Sequence, residues 1–289
     1  MLQLLVAGLT VGAEYGLVAL GIHIILRATR VVSFAQGEFA ILGGLIAFSL
    51  TDALHVSVWL ALIGATLAGF VLGLAFERLV LRPAGRGGET GATIATIGAV
   101  FVLLYGHALV PAWGAEPHPA QPFPGGGLTL GDTVISASSL WVFALLALAL
   151  VVLTVFFERT YYGKAIRAAA DNPLGARLIG IDVRSTRAVS VGLGIALAAY
   201  AGTIIGPITL AGGAGGFALT IKGFVAAVVG GLDSPAGCVA GGLIVGVLEQ
   251  FVTLNAGNDL AEPIVYGLLL VMLLLRPQGL FGRRETVRD

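Results

Sequence analysis

The chain has 289 residues, of which 57% are hydrophobic and 11% are charged, and its formal net charge at pH 7 is zero. Soluble domains carry about 25% charged residues. A chain with this composition and a mean hydropathy of +0.97 cannot form a surface that faces water. The composition therefore excludes a soluble globular protein and predicts an integral membrane protein. The single cysteine, Cys238, excludes an internal disulfide and a metal site built from several cysteines.

Apolar runs divide the chain into about nine predicted membrane segments of an all-α bundle, which forms one transmembrane domain over 1–289. A helix needs roughly 17–25 mostly apolar residues to cross a bilayer. The runs lie at 2–26, 32–51, 56–76, 92–113, 139–157, 188–211, 217–232, 236–254 and 263–275. The run at 217–232 is short and contains Lys222, which predicts a half-helix or a re-entrant segment. The last run opens with Pro263, which suits the first position of a helix.

Lysine and arginine are distributed unevenly between these segments. Several lie between the fifth and sixth segments, and others follow the first, third and last segments, whereas the connection 111–137 contains none. Cytoplasmic loops are enriched in Lys and Arg, so we predict an outer N-terminus, an inner C-terminus and an outer 111–137. An odd number of crossings satisfies this orientation. The outer connection is rich in proline, which favours a stiff, extended lid, docking edge or plain connector.

Glycines recur at intervals of four residues in three of the predicted helices. This spacing gives a helix one smooth face, on which a second helix can approach in backbone contact. The pattern predicts close helix packing, and it involves Gly8, Gly12 and Gly16, then Gly69 and Gly73, then Gly237 and Gly241.

Six polar or ionisable residues in or beside the predicted segments are candidates for a translocation pathway or an internal charge pair. They are Glu14, Ser33, Gln36, Glu38, Lys222 and Glu249. An ionised side chain at the centre of a membrane helix costs roughly 2.5–3.5 kcal/mol, so each should face the bundle interior, an opposite charge or water. Lys222 is the expected partner of one of the carboxylates. Alternatively, Glu38 and Glu249 lie close enough to the interfaces to cap a helix or reach the headgroups.

The connection on the predicted inner side, about 158–187, contains the signals of a short extramembrane helix. Asn172 suits the N-cap, Pro173 the first helical position and Gly180 the termination. Such a helix has about two turns, too few for stability in isolation. Its apolar residues require burial, either as a connector against its own bundle or in a groove of a cytoplasmic subunit, and they are Leu174, Leu178 and Ile179.

Four blocks of sequence, in order along the chain, resemble a single family of membrane proteins. They are Val32–Glu38 (VSFAQGE), Arg167–Ile181 (RAAADNPLGARLIGI), Lys222–Leu232 (KGFVAAVVGGL) and Arg276–Gly282 (RPQGLFG). Together they are similar to the LivH-type permease subunits of branched-chain amino acid ABC importers. The resemblance covers essentially the whole chain.

The resemblance implies a permease subunit that passes a small polar solute inward from an extracytoplasmic binding protein across a bacterial inner membrane. It implies a second, related permease subunit and two cytoplasmic ATPases as partners. The chain has no phosphate-binding loop motif, so ATP hydrolysis is expected on the ATPases, with no enzyme activity, cofactor, metal or nucleic acid on this chain. The resemblance also implies that the short inner helix transmits the motion of the ATPases to the permease. The residues expected to make this contact are Asp171, Asn172, Pro173, Leu174, Ala176, Arg177, Leu178 and Gly180.

Two questions stay open at the level of sequence. The solute is a branched-chain amino acid by default, with urea, short amides or other small carboxylates as alternatives. A competing class is an ion- or proton-coupled secondary transporter with carboxylate relays and a broken helix at 217–232. The docking-helix signature and the lack of a clear internal repeat favour the ABC permease. An intramembrane enzyme has little support, because the four histidines lack metal-ligand spacing and no nucleophile motif is present.

Overall fold

The computed structural model describes residues 1–114, 116–118, 120–130, 133–209, 212, 215–276 and 278–282. The described backbone is helical except for one short hairpin and the connecting turns. The helices are α1 (Leu2–Thr29), α2 (Gln36–Asp52), α3 (Val58–Phe76), α4 (Arg82–Ala84), α5 (Gly88–Ala108), α6 (Ala137–Arg159), α7 (Tyr161–Asp171), α8 (Pro173–Leu178), α9 (Val183–Thr209), α10 (Gly216–Gly230), α11 (Pro235–Ala256) and α12 (Asn258–Leu275). A π-helical turn, Glu77–Leu81, precedes α4, and a 3₁₀ turn, Gly85–Gly87, follows it.

The centre of the bundle is formed by α1 and α9. α1 packs against α9, α10 and α11, and α9 also packs against α2 and α3. Side chains from Ala13 to Ile25 of α1 are buried almost without interruption. A helix that is buried on all sides has no polar face, and this explains why α1 is apolar around its whole circumference.

The glycine stripe of α1 lies directly against α11, as its spacing predicted. A Cβ atom placed on Gly12 would lie 2.7 Å from the carbonyl oxygen of Gly242 and 2.8 Å from the Cα of Leu243. Gly69 and Gly73 meet α9 in the same way. Close backbone approach of this kind is the reason that small residues are needed at membrane helix interfaces. The predicted packing role of these glycines is confirmed.

The two ends of the bundle differ in composition. One end, which we call the arginine-rich end, brings together the end of α1, the Glu77–Gly87 turns, α7, α8 and the start of α9. Ion pairs join Arg27 to Asp171 at 3.1 Å and Arg187 to Glu77 at 3.9 Å there. The opposite end, the tryptophan-rich end, holds all three tryptophans of the chain, Trp59, Trp113 and Trp141.

The tryptophan-rich end also carries the connection between α5 and α6. Trp113 donates a hydrogen bond from Nε1 to Oγ of Ser49 at 2.6 Å, which ties this connection to the end of α2. Trp59 packs edge-on against Trp141 with ring centroids 4.6 Å apart. A short antiparallel hairpin of β1 (Leu128–Leu130) and β2 (Thr133–Ile135) lies in the same connection. The all-α prediction did not include this hairpin, because three-residue strands leave too short a pattern to detect.

By length and composition, five helical stretches of the described residues could cross a membrane. They are Leu2–Thr29, Val58–Ala108, Ala137–Arg159, Val183–Thr209 and Pro235–Ala256, and Gly216–Gly230 is a shorter apolar helix. The stretch Val58–Ala108 has 51 residues, which is about twice what one crossing requires. It contains both α3 and α5, and the backbone breaks between them at Gly88, where φ is +75°.

Two predicted boundaries are wrong. The last helix begins at Asn258 and not at Pro263, which lies inside α12 as its sixth residue. Gly257, with φ of +89°, ends α11 and allows a new helix to begin immediately. The fourth predicted segment, 92–113, corresponds to α5 at Gly88–Ala108, and Leu109–Gly114 forms turns at the tryptophan-rich end.

α2 and α10 are short, with 17 and 15 residues, and they begin beside each other inside the bundle. The backbone N–H of Gly37 donates to Oγ1 of Thr220 at 2.8 Å. Gly37 and Gly216 are in such close contact that no side chain fits between them. Both residues are buried. Two helix starts therefore converge in the interior, where the irregular backbone before each helix is surrounded by protein.

Candidate functional site

A cluster of charged and polar side chains lies between α1, α10, α11 and α12, with Glu262 at its exposed edge. The ammonium of Lys222 on α10 lies 2.7 Å from Oε1 of Glu249 on α11 and 3.4 Å from Oε1 of Glu262 on α12. The hydroxyl of Tyr15 on α1 donates to Oε2 of Glu249 at 2.7 Å. Both Lys222 and Glu249 are largely buried, with side chains 13% and 11% exposed. We call these four residues the lysine cluster.

The lysine cluster pairs the buried charges of Lys222 and Glu249 with each other. A buried carboxylate or ammonium is stable only when it is paired and its remaining hydrogen-bonding capacity is used. Glu249 receives both a salt bridge and a phenol hydrogen bond, one on each oxygen. Lys222 pairs with Glu249 at 2.7 Å and with Glu262 at 3.4 Å.

A cavity of about 320 Å³ opens beside the lysine cluster, between α1, α2, α9, α10 and α12. Glu14, Tyr15, Lys222 and Glu262 line one side of this cavity. Its other walls are small or apolar, with Ala40, Ile41 and Gly44 from α2 and Gly202, Ile205 and Leu219 from α9 and α10. The cavity thus presents the ammonium of Lys222 and the carboxyl groups of Glu14 and Glu262 beside small and apolar side chains, a combination that suits a small ligand with charged and apolar parts.

The structure places the six predicted pathway residues in two separate groups. Glu14, Lys222 and Glu249 belong to the cavity and the lysine cluster. Ser33, Gln36 and Glu38 lie at the start of α2, fully buried and outside the set of cavity-lining residues. The two groups are connected through α2, which begins at Gln36 and contributes Ala40, Ile41 and Gly44 to the cavity wall.

The group at the start of α2 holds three elements of the bundle together. Nε2 of Gln36 donates to the backbone carbonyl of Gly194 on α9 at 2.8 Å. The carboxylate of Glu38 lies against the backbone of Gly216, at the beginning of α10. Oγ of Ser33, Oε1 of Gln36 and both carboxylate oxygens of Glu38 are buried without a protein hydrogen-bond partner among the described residues. Buried polar atoms usually find partners, so this group has unused capacity for water or solute.

Two residues of the site were not among the sequence-based candidates. Glu262 was missed because the last helix was predicted to start one residue after it, so Glu262 was assigned to a loop. Tyr15 was missed because a tyrosine in an apolar helix is usually a packed core residue without a functional role. The only signal for Tyr15 is its position next to Glu14, and the phenol contact with Glu249 bridges 234 residues of sequence.

The short helix predicted at the inner connection is present as α8 and has the predicted ends. Oδ1 of Asn172 accepts a hydrogen bond from the N–H of Gly175 at 2.9 Å, and Pro173 is the first helical residue. Gly180 follows the helix with φ of +85°, and its N–H donates to the carbonyl of Arg177 at 3.1 Å. The backbone after α8 turns back at once toward α9.

The apolar side chains of α8 point away from the bundle. Leu174, Leu178 and Ile179 are 69%, 81% and 74% exposed. Ala176 is 2% exposed and packs inward, so it belongs to the anchoring side of α8. Arg177 and Asp171 are also exposed, and Asp171 pairs with Arg27. The helix therefore presents an apolar surface at the arginine-rich end, where nothing in the described part of this chain covers it.

Comparison with solved structures identifies the class of fold. The chain is similar to a structure titled PsaBC from Streptococcus pneumoniae in complex with Fab, with a TM-score of 0.50 over 94% of this chain and 91% of that chain. The sequence identity is 15%, so this likeness concerns the fold alone. It agrees with a polytopic helical membrane subunit.

Comparison of sequences then identifies the family. Residues 4–275 match the family described as branched-chain amino acid transport system, permease component. The chain is 33% identical to the high-affinity branched-chain amino acid transport system permease protein BraD of Pseudomonas aeruginosa, over 99% of this chain and 97% of that protein. It is 28% identical to LivH of Escherichia coli, covering 99% and 96%, and 31% identical to a probable LivH of Methanocaldococcus jannaschii, covering 92% and 88%.

The chain belongs to the family of permease components of branched-chain amino acid transport systems. The predicted resemblance and the predicted role as a permease subunit of an ABC importer are confirmed. The chain is accordingly a multi-pass membrane protein that functions within a complex of several subunits.

Proposed function

We propose that this permease subunit translocates an amino acid with an apolar side chain, most directly a branched-chain amino acid, through the cavity beside the lysine cluster. The observation that carries the proposal is the cavity of about 320 Å³, in which Lys222, Glu14 and Glu262 face apolar walls. The similar permease proteins of Pseudomonas aeruginosa and Escherichia coli are named for branched-chain amino acid transport, and this supports the same class of solute.

The chemistry of the cavity matches a zwitterion with an aliphatic side chain. The ammonium of Lys222 is suited to an α-carboxylate, and the carboxylates of Glu14 and Glu262 are suited to an α-ammonium. Ile41, Ile205 and Leu219 provide apolar surface for the side chain. Urea and short amides carry no charge and would gain nothing from these ionisable groups. The proposal therefore favours amino acids over the uncharged alternatives.

We propose that the ATPase subunits transmit the effect of ATP hydrolysis to this chain through contact with α8. Its apolar residues Leu174, Leu178 and Ile179 are exposed at the arginine-rich end, a suitable anchor for a groove on a cytoplasmic ATPase. In this proposal the ATPases hydrolyse ATP on separate subunits, and the permease itself is not an enzyme. Two ATPases, a second related permease and an extracytoplasmic binding protein complete the complex in a bacterial inner membrane.

The proposed topology has nine membrane segments in one transmembrane domain, formed by α1, α2, α3, α5, α6, α9, α10, α11 and α12. The N-terminus is outside and the C-terminus inside, so the arginine-rich end is cytoplasmic. Arg82, Arg86, Arg177, Arg184 and Arg187 surround one groove at that end, and this supports the assignment by the positive-inside rule. The tryptophans lie at the opposite end, as is typical of a membrane interface.

The test is uptake by the complete complex, reconstituted in liposomes with ATP on the ATPase side and the binding protein on the other. We expect ATP-dependent uptake of labelled leucine, with competition by unlabelled isoleucine and valine and none by urea or acetamide. Glu14→Gln should lower uptake, whereas the matched control Glu89→Gln, which changes an exposed glutamate of α5, should leave it unchanged. Uptake of labelled urea or acetamide by the same complex, with no uptake of labelled leucine, would overturn the proposed solute.

A further inference from the structure

A second cavity, separate from the proposed pathway, opens at the arginine-rich end between α1, α6 and α7. Its volume is about 250 Å³. Its wall is formed by the last turns of α1 and α6, and α7 closes it at the end of the bundle. We call this cavity the α6–α7 groove.

The interior of the α6–α7 groove is mostly apolar, with His23 and Thr154 as polar members of its lining, and its rim is charged. The interior is lined by Leu20 and Ile24 of α1, Leu150, Leu153 and Phe157 of α6, and Ile166 of α7. The rim carries Arg27, Arg167 and Glu158. A groove with an apolar interior and charges of both signs at its rim is complementary to a zwitterionic phospholipid. An acyl chain would occupy the interior, and the headgroup would lie at the rim.

The arrangement of charges on α7 makes one arginine available at the rim. Arg27 is already engaged with Asp171 at 3.1 Å. Arg167 precedes Asp171 by four residues and therefore lies on the same face of α7, next to this ion pair. Arg167 is exposed, and no carboxylate of the described residues lies within ion-pair distance of it. Its guanidinium is suited to a phosphate diester.

The surroundings of the groove indicate the lipid bilayer as the source of its occupant. Val151, Val152 and Val155 on the outer face of α6 are 61%, 56% and 51% exposed, so apolar surface continues from the groove onto the outside of the bundle. Tyr161 and Tyr162 are exposed at the bend between α6 and α7. Tyrosines at this position are typical of the headgroup level of a membrane.

We propose that the α6–α7 groove binds a phospholipid of the phosphatidylethanolamine class from the leaflet at the arginine-rich end. The phosphate contacts Arg167, the headgroup ammonium contacts the carboxylate of Glu158, and one acyl chain occupies the apolar interior. Glu158 disfavours an anionic glycerol headgroup, because that headgroup has no ammonium to pair with the Glu158 carboxylate. The bound lipid fills the space between α6 and α7, and α7 leads directly into α8.

The proposal is tested by native mass spectrometry of the whole complex. The complex is released from detergent micelles that contain equal amounts of phosphatidylethanolamine and phosphatidylglycerol. We expect retained phosphatidylethanolamine in excess over phosphatidylglycerol. Arg167→Gln should lower the retention about fivefold, which is the factor expected for one lost contact between a cation and a headgroup. Arg159→Gln removes an exposed arginine at the same end that does not line the groove, and it should leave retention unchanged.

Thr154→Trp provides a second variant, because Thr154 lines the groove and is exposed. The larger side chain should displace the lipid without disturbing the buried core. Equal effects of Arg159→Gln and Arg167→Gln, or an excess of phosphatidylglycerol, would overturn the proposal. A third outcome would also overturn it: the unchanged complex retains no lipid, and Thr154→Trp lowers co-purification of the second permease. The groove would then belong to an interface between subunits. None of these outcomes depends on which solute is transported.

Discussion

Nζ of Lys222 lies 2.7 Å from Oε1 of Glu249, and the two residues come from neighbouring helices, α10 and α11. Tyr15 of α1 and Glu262 of α12 complete the contact from the other sides. α10 has only 15 residues and is short for a membrane helix. The lysine cluster therefore fixes the position of this short helix against three longer ones, next to the cavity that we propose as the pathway.

Glu249→Gln should destabilise the permease by about 3 kcal/mol, at the lower end of the range for a broken buried pair because Glu262 still faces Lys222. The measurement is thermal unfolding of the purified complex. The double variant Lys222→Met, Glu249→Leu removes both charges and should recover part of the loss, since it leaves no unpaired ion. If the double variant is less stable than Glu249→Gln, the ion pair does not govern the stability of this region.

Gly12→Ala should destabilise the subunit by about 1–3 kcal/mol, the range for an extra methylene group in a packed core. The new Cβ would lie 2.7 Å from the carbonyl oxygen of Gly242, a backbone atom that cannot move away without shifting α11. Gly98→Ala is the matched control, because Gly98 of α5 has open space where its Cβ would be placed. Thermal unfolding of the two variants should differ, and equal midpoints would contradict close packing of α1 on α11.

Much of the fold could be predicted from sequence because its signals are local. Each predicted apolar run overlaps a helix of the described residues, and the caps of α8 follow from the residue types at Asn172, Pro173 and Gly180. The glycine stripe of α1 predicted a close helix contact, although the partner α11 could not be inferred from spacing alone. Contacts such as Tyr15 with Glu249 depend on which distant helices become neighbours, and a single sequence contains no local signal for that.

Part of the site could be predicted from the sequence, because buried charges carry an energetic cost that marks them. Charged residues in apolar helices are costly, so Glu14, Lys222 and Glu249 were recognisable as interior groups. Glu262 was not, because its recognition depended on the start of α12, and Gly257 permits an earlier start than Pro263 suggested. The separation of Ser33, Gln36 and Glu38 from the cavity follows from the inward position of the start of α2, which hydropathy does not report.

Gln36→Leu should lower solute uptake while the amount of assembled complex in the membrane stays normal. The substitution removes the hydrogen bond from Nε2 to the carbonyl of Gly194 and the unpaired Oε1, while it keeps most of the side-chain volume. Uptake by the reconstituted complex and quantification of the membrane-inserted subunit are the two measurements. Gln3→Leu, at the exposed first turn of α1, serves as the control. Unchanged uptake would assign Gln36 a purely structural role.

The proposed orientation places Gln121 and Arg177 on opposite sides of the membrane. Both residues are exposed, and the native cysteine, which is buried, is removed for this experiment by Cys238→Ala. In that background, cysteine at position 121 should react with an impermeant thiol reagent added to intact cells, and cysteine at position 177 should react only after the cells are opened. The reverse pattern would contradict an outer N-terminus and an inner arginine-rich end.

Leu178→Asp should uncouple the permease from its ATPases without affecting its own folding. Leu178 is 81% exposed, so an aspartate there changes the stability of the isolated subunit by no more than about 0.5 kcal/mol. In a groove on a partner the same carboxylate would be desolvated without a counter-charge, at a cost of several kcal/mol. We therefore expect normal insertion, loss of the ATPases on co-purification and loss of ATP-dependent uptake. Leu54→Asp, at an exposed leucine far from α8 in sequence, is the matched control and should keep the ATPases bound.

Gly180→Val should cause the same loss more weakly, because it acts on the backbone that positions α8 and not on the contact surface itself. Gly180 has φ of +85°, and no atom lies within 4 Å of the position its Cβ would occupy. The effect is therefore conformational, and a β-branched residue in the left-handed region costs about 1–2 kcal/mol. Asparagine tolerates this region better, so Gly180→Asn should retain more uptake than Gly180→Val. If Leu178→Asp imports solute at the normal rate with its ATPases still bound, α8 is a plain connector between α7 and α9. The contact that drives transport must then lie elsewhere on the arginine-rich end.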